Sequence, residues 1–271
     1  MLKSQARKLT ISNRGRIMAG MLKKNVKTES DLLLYLGEKA TESRRLYHYT
    51  TYDSLLAILS GKSFRLSKTS LLNDKKEREF SGFNDCFVMS LTAEKEYISM
   101  WSMYGRASGI KTRIDFSQDL FSKCFVEKNI YADPDLKTRY LPLTPSLFGE
   151  KSEYCALKDV VYLDKTRTEY RHRENAFQSI SASEKGIEQL GGFIKYDAWE
   201  FEREIRARVL DVGKADINHV YIALTNELLK DIRVTFNPWI SSNMKNEIST
   251  ALLKRGIRCI NSDYDGQVDE L

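Results

Sequence analysis

The chain has 271 residues, 42% hydrophobic and 11% aromatic, enough to bury a sizeable core in one large domain or two small ones. No run approaches the ~18 apolar residues that a membrane-spanning helix needs, and the first residues lack the continuous apolar core of a secretory signal. The expectation is a globular, cytoplasmic protein without a membrane partner. The formal net charge of +6 is uneven: residues 1–27 hold eight Lys/Arg and no acid, while the remainder carries 35 basic against 37 acidic residues. A basic arm before a near-neutral body is the layout for contact with a polyanion, a membrane surface or an acidic protein. A solvated, mobile terminus or an organellar presequence has the same composition.

In chain order, Glu29 to Ala40 reads as a helix, with Ser30 and Asp31 able to cap it and Leu32, Leu33, Tyr35 and Leu36 on its apolar face. Arg45 to Thr50 alternates as a strand, placing Leu46, His48 and Thr50 on one side and Tyr47 and Tyr49 on the other. Thr51 or Asp53 then caps a helix with Leu55, Ile58 and Leu59 at core spacing, stopped by Gly61. Phe64 to Ser67 is a short strand, and Leu71 to Glu77, with its Asn-Asp pair, is a turn entering a polar helix. Asp85 to Thr92 reads as a strand, Glu94 to Tyr104 as a helix and Ile110 to Phe116 as another strand.

Residues 129–150 hold three of the four prolines and read as an irregular connection, a lid or substrate loop. Lys158 to Leu163 is strand-like, and Arg167 to Gln189 is the longest helical candidate. Phe201 to Leu210 reads as a strand with Glu202, Glu204, Arg206 and Arg208 on one face, its two carboxylates about 7 Å apart by strand rise. A strand at Ile232 to Phe236, a helix at Ser241 to Arg255 and a strand at Gly256 to Asn261 complete the chain. The organisation is a basic arm, 1–27, and one domain, 28–271.

The phosphate-binding, dinucleotide-binding, zinc-protease and nucleophile-elbow motifs are all absent from the sequence. Four scattered cysteines without a Cys-x-x-Cys pair and only three histidines, His48, His172 and His219, predict neither a metal site nor a disulfide framework. Two candidates remain. His48 ends a strand just before a helix, the setting of a ligand pocket or of a hydrogen-bonded core histidine. Glu202 and Glu204 suit acid/base work or a sugar hydroxyl, since a carboxylate bonded to a ribose hydroxyl supports the positive charge that grows at an anomeric carbon. A solvated, ion-paired strand face has the same pattern.

Leu46-Tyr-His-Tyr-Thr50, Leu55-Leu-Ala-Ile-Leu59, Leu72-Asn-Asp-Lys-Lys-Glu77, Phe87-Val-Met-Ser-Leu-Thr92, Met100-Trp-Ser-Met-Tyr-Gly105 and Trp199-Glu-Phe-Glu-Arg-Glu-Ile-Arg206 occur in order across residues 45–260. This series resembles the bacterial DUF2971 family, whose layout in turn resembles the ADP-ribosyltransferase fold. The resemblance implies an α+β domain with a split, mixed or antiparallel β-sheet core flanked by helices, and NAD as substrate. His48 would then hold the adenosine-side ribose with Thr50 beside it. Tyr104, with Tyr49 or Trp101, would stack on nicotinamide, and Ser90 and Thr92 would lie on the cleft-floor strand. Glu204 would bond the nicotinamide ribose, Glu202 would orient or activate the acceptor, and Arg45 is a reserve candidate for the pyrophosphate.

The activity implied is a mono-ADP-ribosyltransferase, a bacterial toxin of a toxin–antitoxin or phage-defence system. The basic arm favours a nucleic acid acceptor, RNA before DNA, since Lys/Arg contacts to phosphates supply non-specific affinity. The arm is equally placed to dock an antitoxin or chaperone. Transfer to a protein side chain, and a non-catalytic nucleotide or nucleic-acid binding module, are the alternatives.

Overall fold

Alternation of Leu46, His48 and Thr50 with Tyr47 and Tyr49 produces β1 (Arg45–Thr51), the strand about which the sheet divides. The computed structural model describes residues 44–72, 74, 86–104, 110–140, 155–163, 192–210 and 216–267. The basic arm, the expected helices at 29–40 and 167–189, and the polar helix after the Asn-Asp turn lie outside them. Helix α1 (Tyr52–Gly61) begins where the Thr51 hydroxyl accepts from the Ser54 N–H at 3.2 Å. It buries Leu55 and Ile58 and ends in a left-handed cap at Lys62 (φ 48°), one residue beyond the expected Gly61.

Then follow β2 (Ser63–Lys68), β3 (Cys86–Thr92), α2 (Ile98–Met103), β4 (Lys111–Ser117), α3 (Gln118–Cys124), β5 (Ile130–Tyr131), β6 (Cys155–Asp159) and β7 (Val161–Leu163). The chain continues through β8 (Ile194–Tyr196), β9 (Glu204–Leu210), β10 (His219–Ala223), α4 (Asn226–Asp231), β11 (Arg233–Phe236), α5 (Ser242–Leu253) and β12 (Arg258–Ile260). The fold is α+β. Its main sheet runs β12-β11-β4-β1-β3-β2-β10-β5, with β9 joined to β3 and β6 to β9, while β7 and β8 form a separate pair. Pairing is antiparallel except for β11–β12 and β7–β8. No helix among the described residues is long and apolar enough to cross a membrane.

Several expected elements differ. The helix expected over 94–104 is confined to α2, because Glu96 turns inward to accept from Trp101 Nε1 at 2.7 Å and the Asp263 N–H at 2.9 Å. The strand expected over 158–163 is two strands in separate sheets, divided at Val160. The connection after 129 is partly packed: β5 pairs with β10, and the Asp133 carboxylate ties a turn by accepting from the Lys137 and Thr138 N–H groups. Most consequential, Glu202 ends a 3-10 helix (Asp197–Glu202) and β9 starts only at Glu204, with Arg203 left-handed at φ 42° between them. A left-handed residue cannot continue a strand, so simple alternation does not set the two carboxylates' positions.

The core packs an aromatic cluster beneath β1, β2 and β4. Phe64 lies 5.1 Å from Phe116, and Phe121 lies 5.3 Å from Phe116 and 5.5 Å from Phe125, ring centre to ring centre. At the other side of β1, Arg45 fixes the start of the strand. Its guanidinium bonds Asp115 Oδ2 at 2.8 Å, Asp231 Oδ1 at 3.0 Å and the backbone carbonyls of both residues at 3.0 Å. Asp231 also accepts from the Ser117 N–H at 2.6 Å, so one arginine clamps β1, β4 and the end of α4. Arg45→Met leaves the buried Asp115 and its neighbour without this cation and is expected to cost about 3 kcal/mol. Urea unfolding checks this as a lower midpoint at unchanged slope.

Candidate functional site

The site begins with a gap in the sheet. β1 meets β3 at a single pair, Tyr47 opposite Thr92, whereas β2 meets β3 at Ser67–Val88 and Lys68–Phe87. Met89, Ser90 and Leu91 therefore pair with β9 on one edge and with no described strand on the other. A cleft of about 470 Å³ occupies this opening, within the ~300–1,000 Å³ range of small-molecule sites. Its walls come from β1, α1, β2, β3, Tyr104, Pro134, Glu202, Glu204 and Tyr221.

His48 spans the gap. Its Nδ1 lies 2.9 Å from the Ser90 carbonyl oxygen, which only accepts, so Nδ1 carries the proton. Burial lowers the imidazole pKa, against the raising effect of the Ser90 bond, and the ring is neutral with an acceptor lone pair on Nε2. Phe64, 6.4 Å away and edge-on, holds the ring's orientation. Thr50 shares the cleft wall. Tyr49 also borders the cleft, but its ring is buried edge-on against Trp101 at 4.9 Å. Trp101 is 1% exposed and belongs to the core.

At the Thr92 end stand the two carboxylates, buried with two cations. Lys195 Nζ, from β8, is 2.5 Å from Glu202 Oε2 and 3.3 Å from Glu204 Oε2. Arg206 donates from Nε to Glu204 Oε1 at 2.6 Å and from Nη2 to Oε2 at 3.0 Å, and from Nη1 to the Gly192 carbonyl at 2.7 Å. Gly192 (φ 76°) lets the chain lie close against β3, since a Cβ there would come within 3.0 Å of both the Cys86 and Val88 side chains. The Tyr104 hydroxyl, at the mouth, donates to Glu202, and Lys195 lies 4.9 Å over the Trp199 ring.

The two acids are driven apart electrically. Burial pushes Glu204 upward, but the Arg206 guanidinium and the Lys195 ammonium override it, with help from the Ser90 hydroxyl, and hold the carboxyl at about 2. Burial and the neighbouring Glu204 charge together push Glu202 above the ordinary carboxylate range. The Tyr104 phenol is raised by its own burial and by Glu202. The cleft thus has one firmly ionised carboxylate and a second that takes up a proton more readily.

Of the residues expected at the site, His48, Thr50, Ser90, Tyr104, Glu202 and Glu204 border this cleft, as does the wall around Tyr49. Thr92 borders it too, but its hydroxyl donates to the Arg203 carbonyl and accepts from the Glu94 N–H, tying the end of β3 to the residue before β9. Arg45 is not brought to the cleft, because all its donors serve the clamp on Asp115 and Asp231. Two residues not anticipated from the sequence are Lys195, which has no motif around it, and Arg65 on β2, an exposed cation in the cleft wall. Among the described residues no cluster of His, Cys, Asp and Glu is arranged to hold a metal. The chain was compared with protein-family models, curated proteins and solved structures, and none matches.

The charge arrangement fixes a stability signature. Glu204, with its folded pKa below the unfolded value, contributes stability that is present above pH ~4.5 and lost as pH falls toward about 2. Glu202 is raised and works in the opposite sense, its charged form costing stability once pH exceeds the ordinary carboxylate range. Glu204→Gln should therefore cost on the order of 3 kcal/mol at pH 7 and flatten the acid limb of the stability curve. Glu202→Gln, which keeps an acceptor for Lys195 and Tyr104, should change stability by less than about 1 kcal/mol. Denaturant melts of both variants between pH 2 and 7 measure the contrast.

Proposed function

We propose that the chain is a mono-ADP-ribosyltransferase on an ADP-ribosyltransferase-like split sheet, cleaving the nicotinamide–ribose bond of NAD and passing ADP-ribose to a nucleic acid. The observation that carries this reading is a buried carboxylate, Glu204, kept ionised by Arg206 and Lys195 in a cleft whose other features are a neutral imidazole and a phenol at the mouth. In this reading the nicotinamide ribose lies at Glu204, the nicotinamide ring against Tyr104 and the adenosine-side ribose at His48 Nε2. A hydroxyl of the nicotinamide ribose displaces the 3.3 Å contact from Lys195, the longest bond to Glu204, and Lys195 keeps its shorter bond to Glu202.

As the glycosidic bond breaks, its electron pair passes to the nicotinamide nitrogen and positive charge grows on the anomeric carbon. Glu204, ionised throughout the physiological range, supports that charge through the bonded hydroxyl. An amino or hydroxyl group of the acceptor then attacks the anomeric carbon and gives its proton to Glu202, whose raised pKa suits it to a base's task. RNA is the favoured acceptor because the eight basic residues before position 28 supply phosphate contacts and unpaired RNA bases are open to attack. A toxin of a toxin–antitoxin or phage-defence system fits such an activity.

Incubation with NAD labelled in its adenylate half, together with separate pools of RNA, DNA and protein, tests the reading. Label is expected in RNA with stoichiometric release of nicotinamide. Label entering protein alone moves the acceptor to a side chain, and absence of nicotinamide release in every pool leaves a binding module. Glu204→Gln, assayed below its melting temperature, should lower turnover by about 10²–10³-fold. Removing residues 1–27 should weaken RNA binding and flatten its dependence on salt, read by filter binding at several ionic strengths.

A further inference from the structure

The cleft has a second wall that the paired carboxylates do not touch. β2 and β10 pair in register, with Arg65 opposite Tyr221 and Ser67 opposite His219. Residue alternation puts Ser63, Arg65 and Ser67 on one face of β2, and all three border the cleft together with Tyr221. Arg65 is exposed, and among the described residues its guanidinium has no carboxylate partner. The contrast with the rest of the site is sharp. Glu202 and Glu204 are matched by Lys195 and Arg206, and Arg45 is matched by Asp115 and Asp231.

We infer that Arg65, flanked by Tyr221, Ser63 and Ser67, forms an anion subsite that receives the diphosphate of a nucleotide lying across the cleft. The guanidinium offers a planar set of donors matched to phosphate oxygens, and the serine and tyrosine hydroxyls add neutral donors on the same face. This wall therefore takes over the diphosphate role that the sequence reserved for Arg45. The two ends of the cleft then divide the work. The β2–β10 wall recognises phosphate, the His48–Ser90 bridge lies at the gap between β1 and β2, and the carboxylate end faces the sugar. Burial lowers the pKa of His48 and of His219, and the Arg65 charge acts on both in the same direction. The inference that the bound nucleotide is NAD rests on the transferase reading, whereas the subsite itself rests on this wall.

Calorimetric titration of the full chain with ADP, and with adenosine as the phosphate-free control, tests it. ADP should bind more tightly than adenosine, with an affinity that falls as salt rises. Arg65→Gln should weaken ADP binding about tenfold or more while leaving adenosine unchanged, and Arg65→Lys should retain part of the difference. The thermal melting temperature should be unaltered, because the side chain is exposed and unpaired. Equal binding of ADP and adenosine by the native chain, or native ADP affinity in Arg65→Gln, overturns the subsite. Arg65-dependent ADP binding without nicotinamide release keeps the subsite and removes the transferase. Nicotinamide release with unchanged ADP affinity in Arg65→Gln does the reverse.

Discussion

A strand inside a sheet must satisfy hydrogen-bonding groups on both edges, and in this protein β3 does so with three different partners along one edge. Val88, Ser90 and Thr92 direct their backbone groups to the same side. Val88 meets β2, Thr92 meets β1, and the Ser90 carbonyl between them meets the imidazole of His48. Were β1 to continue alongside β3, the sheet would close and no cleft would exist. The side chain that replaces the missing backbone partner is thus also the reason the opening is tolerated. Its position fixes its chemistry, because a ring that donates from Nδ1 to a carbonyl presents Nε2 as an acceptor to whatever enters.

The carboxylate end solves a different problem, that of keeping two like charges in one dry place. Two acids and two bases alternate there: Glu202, Lys195, Glu204, Arg206. Such a set carries little net charge but a steep internal gradient, since Arg206 grips Glu204 by two bonds and reaches Glu202 by none that the structure shows. The asymmetry of the cations, more than any difference between the two glutamates, divides their proton affinities. Removing either cation would return the pair to the usual conflict of neighbouring carboxylates, in which one must be protonated.

The sheet was legible in the sequence where residue types alternate between turn signals, as in residues 45–50, 86–92 and 111–116, although β3 and β4 are buried on both faces. So was α5, expected over Ser241 to Arg255 and found at Ser242–Leu253. Helices α3 and α4, of seven and six residues, and the five-residue β10 were not assigned, and their size explains it: elements this short are held by tertiary partners more than by their own propensity. His48, Ser90 and the two glutamates were identifiable because side-chain type and chain order carried them. Lys195 was not, because a lone lysine on a three-residue strand has no local mark, and its meaning arises only when residues 197–202 fold back over it. Arg45 and Arg65 were indistinguishable as sequence symbols. What separates them is whether a carboxylate waits across the sheet, and that depends on pairing between distant segments.

Arg203 stands in a backbone conformation that L-residues seldom adopt, and it does so between the two acids. Its effect is to assign Glu204 to a rigid strand, paired on both edges, and Glu202 to the end of a short 3-10 segment. The two acids, two residues apart, thus stand on different elements and are joined through the Lys195 ammonium that both contact. Drift in the length or composition of the segment before Arg203 can relocate the second acid while the first stays fixed. A change there alters the charge presented at one end of the cleft while Glu204 keeps its strand and its two bonds from Arg206.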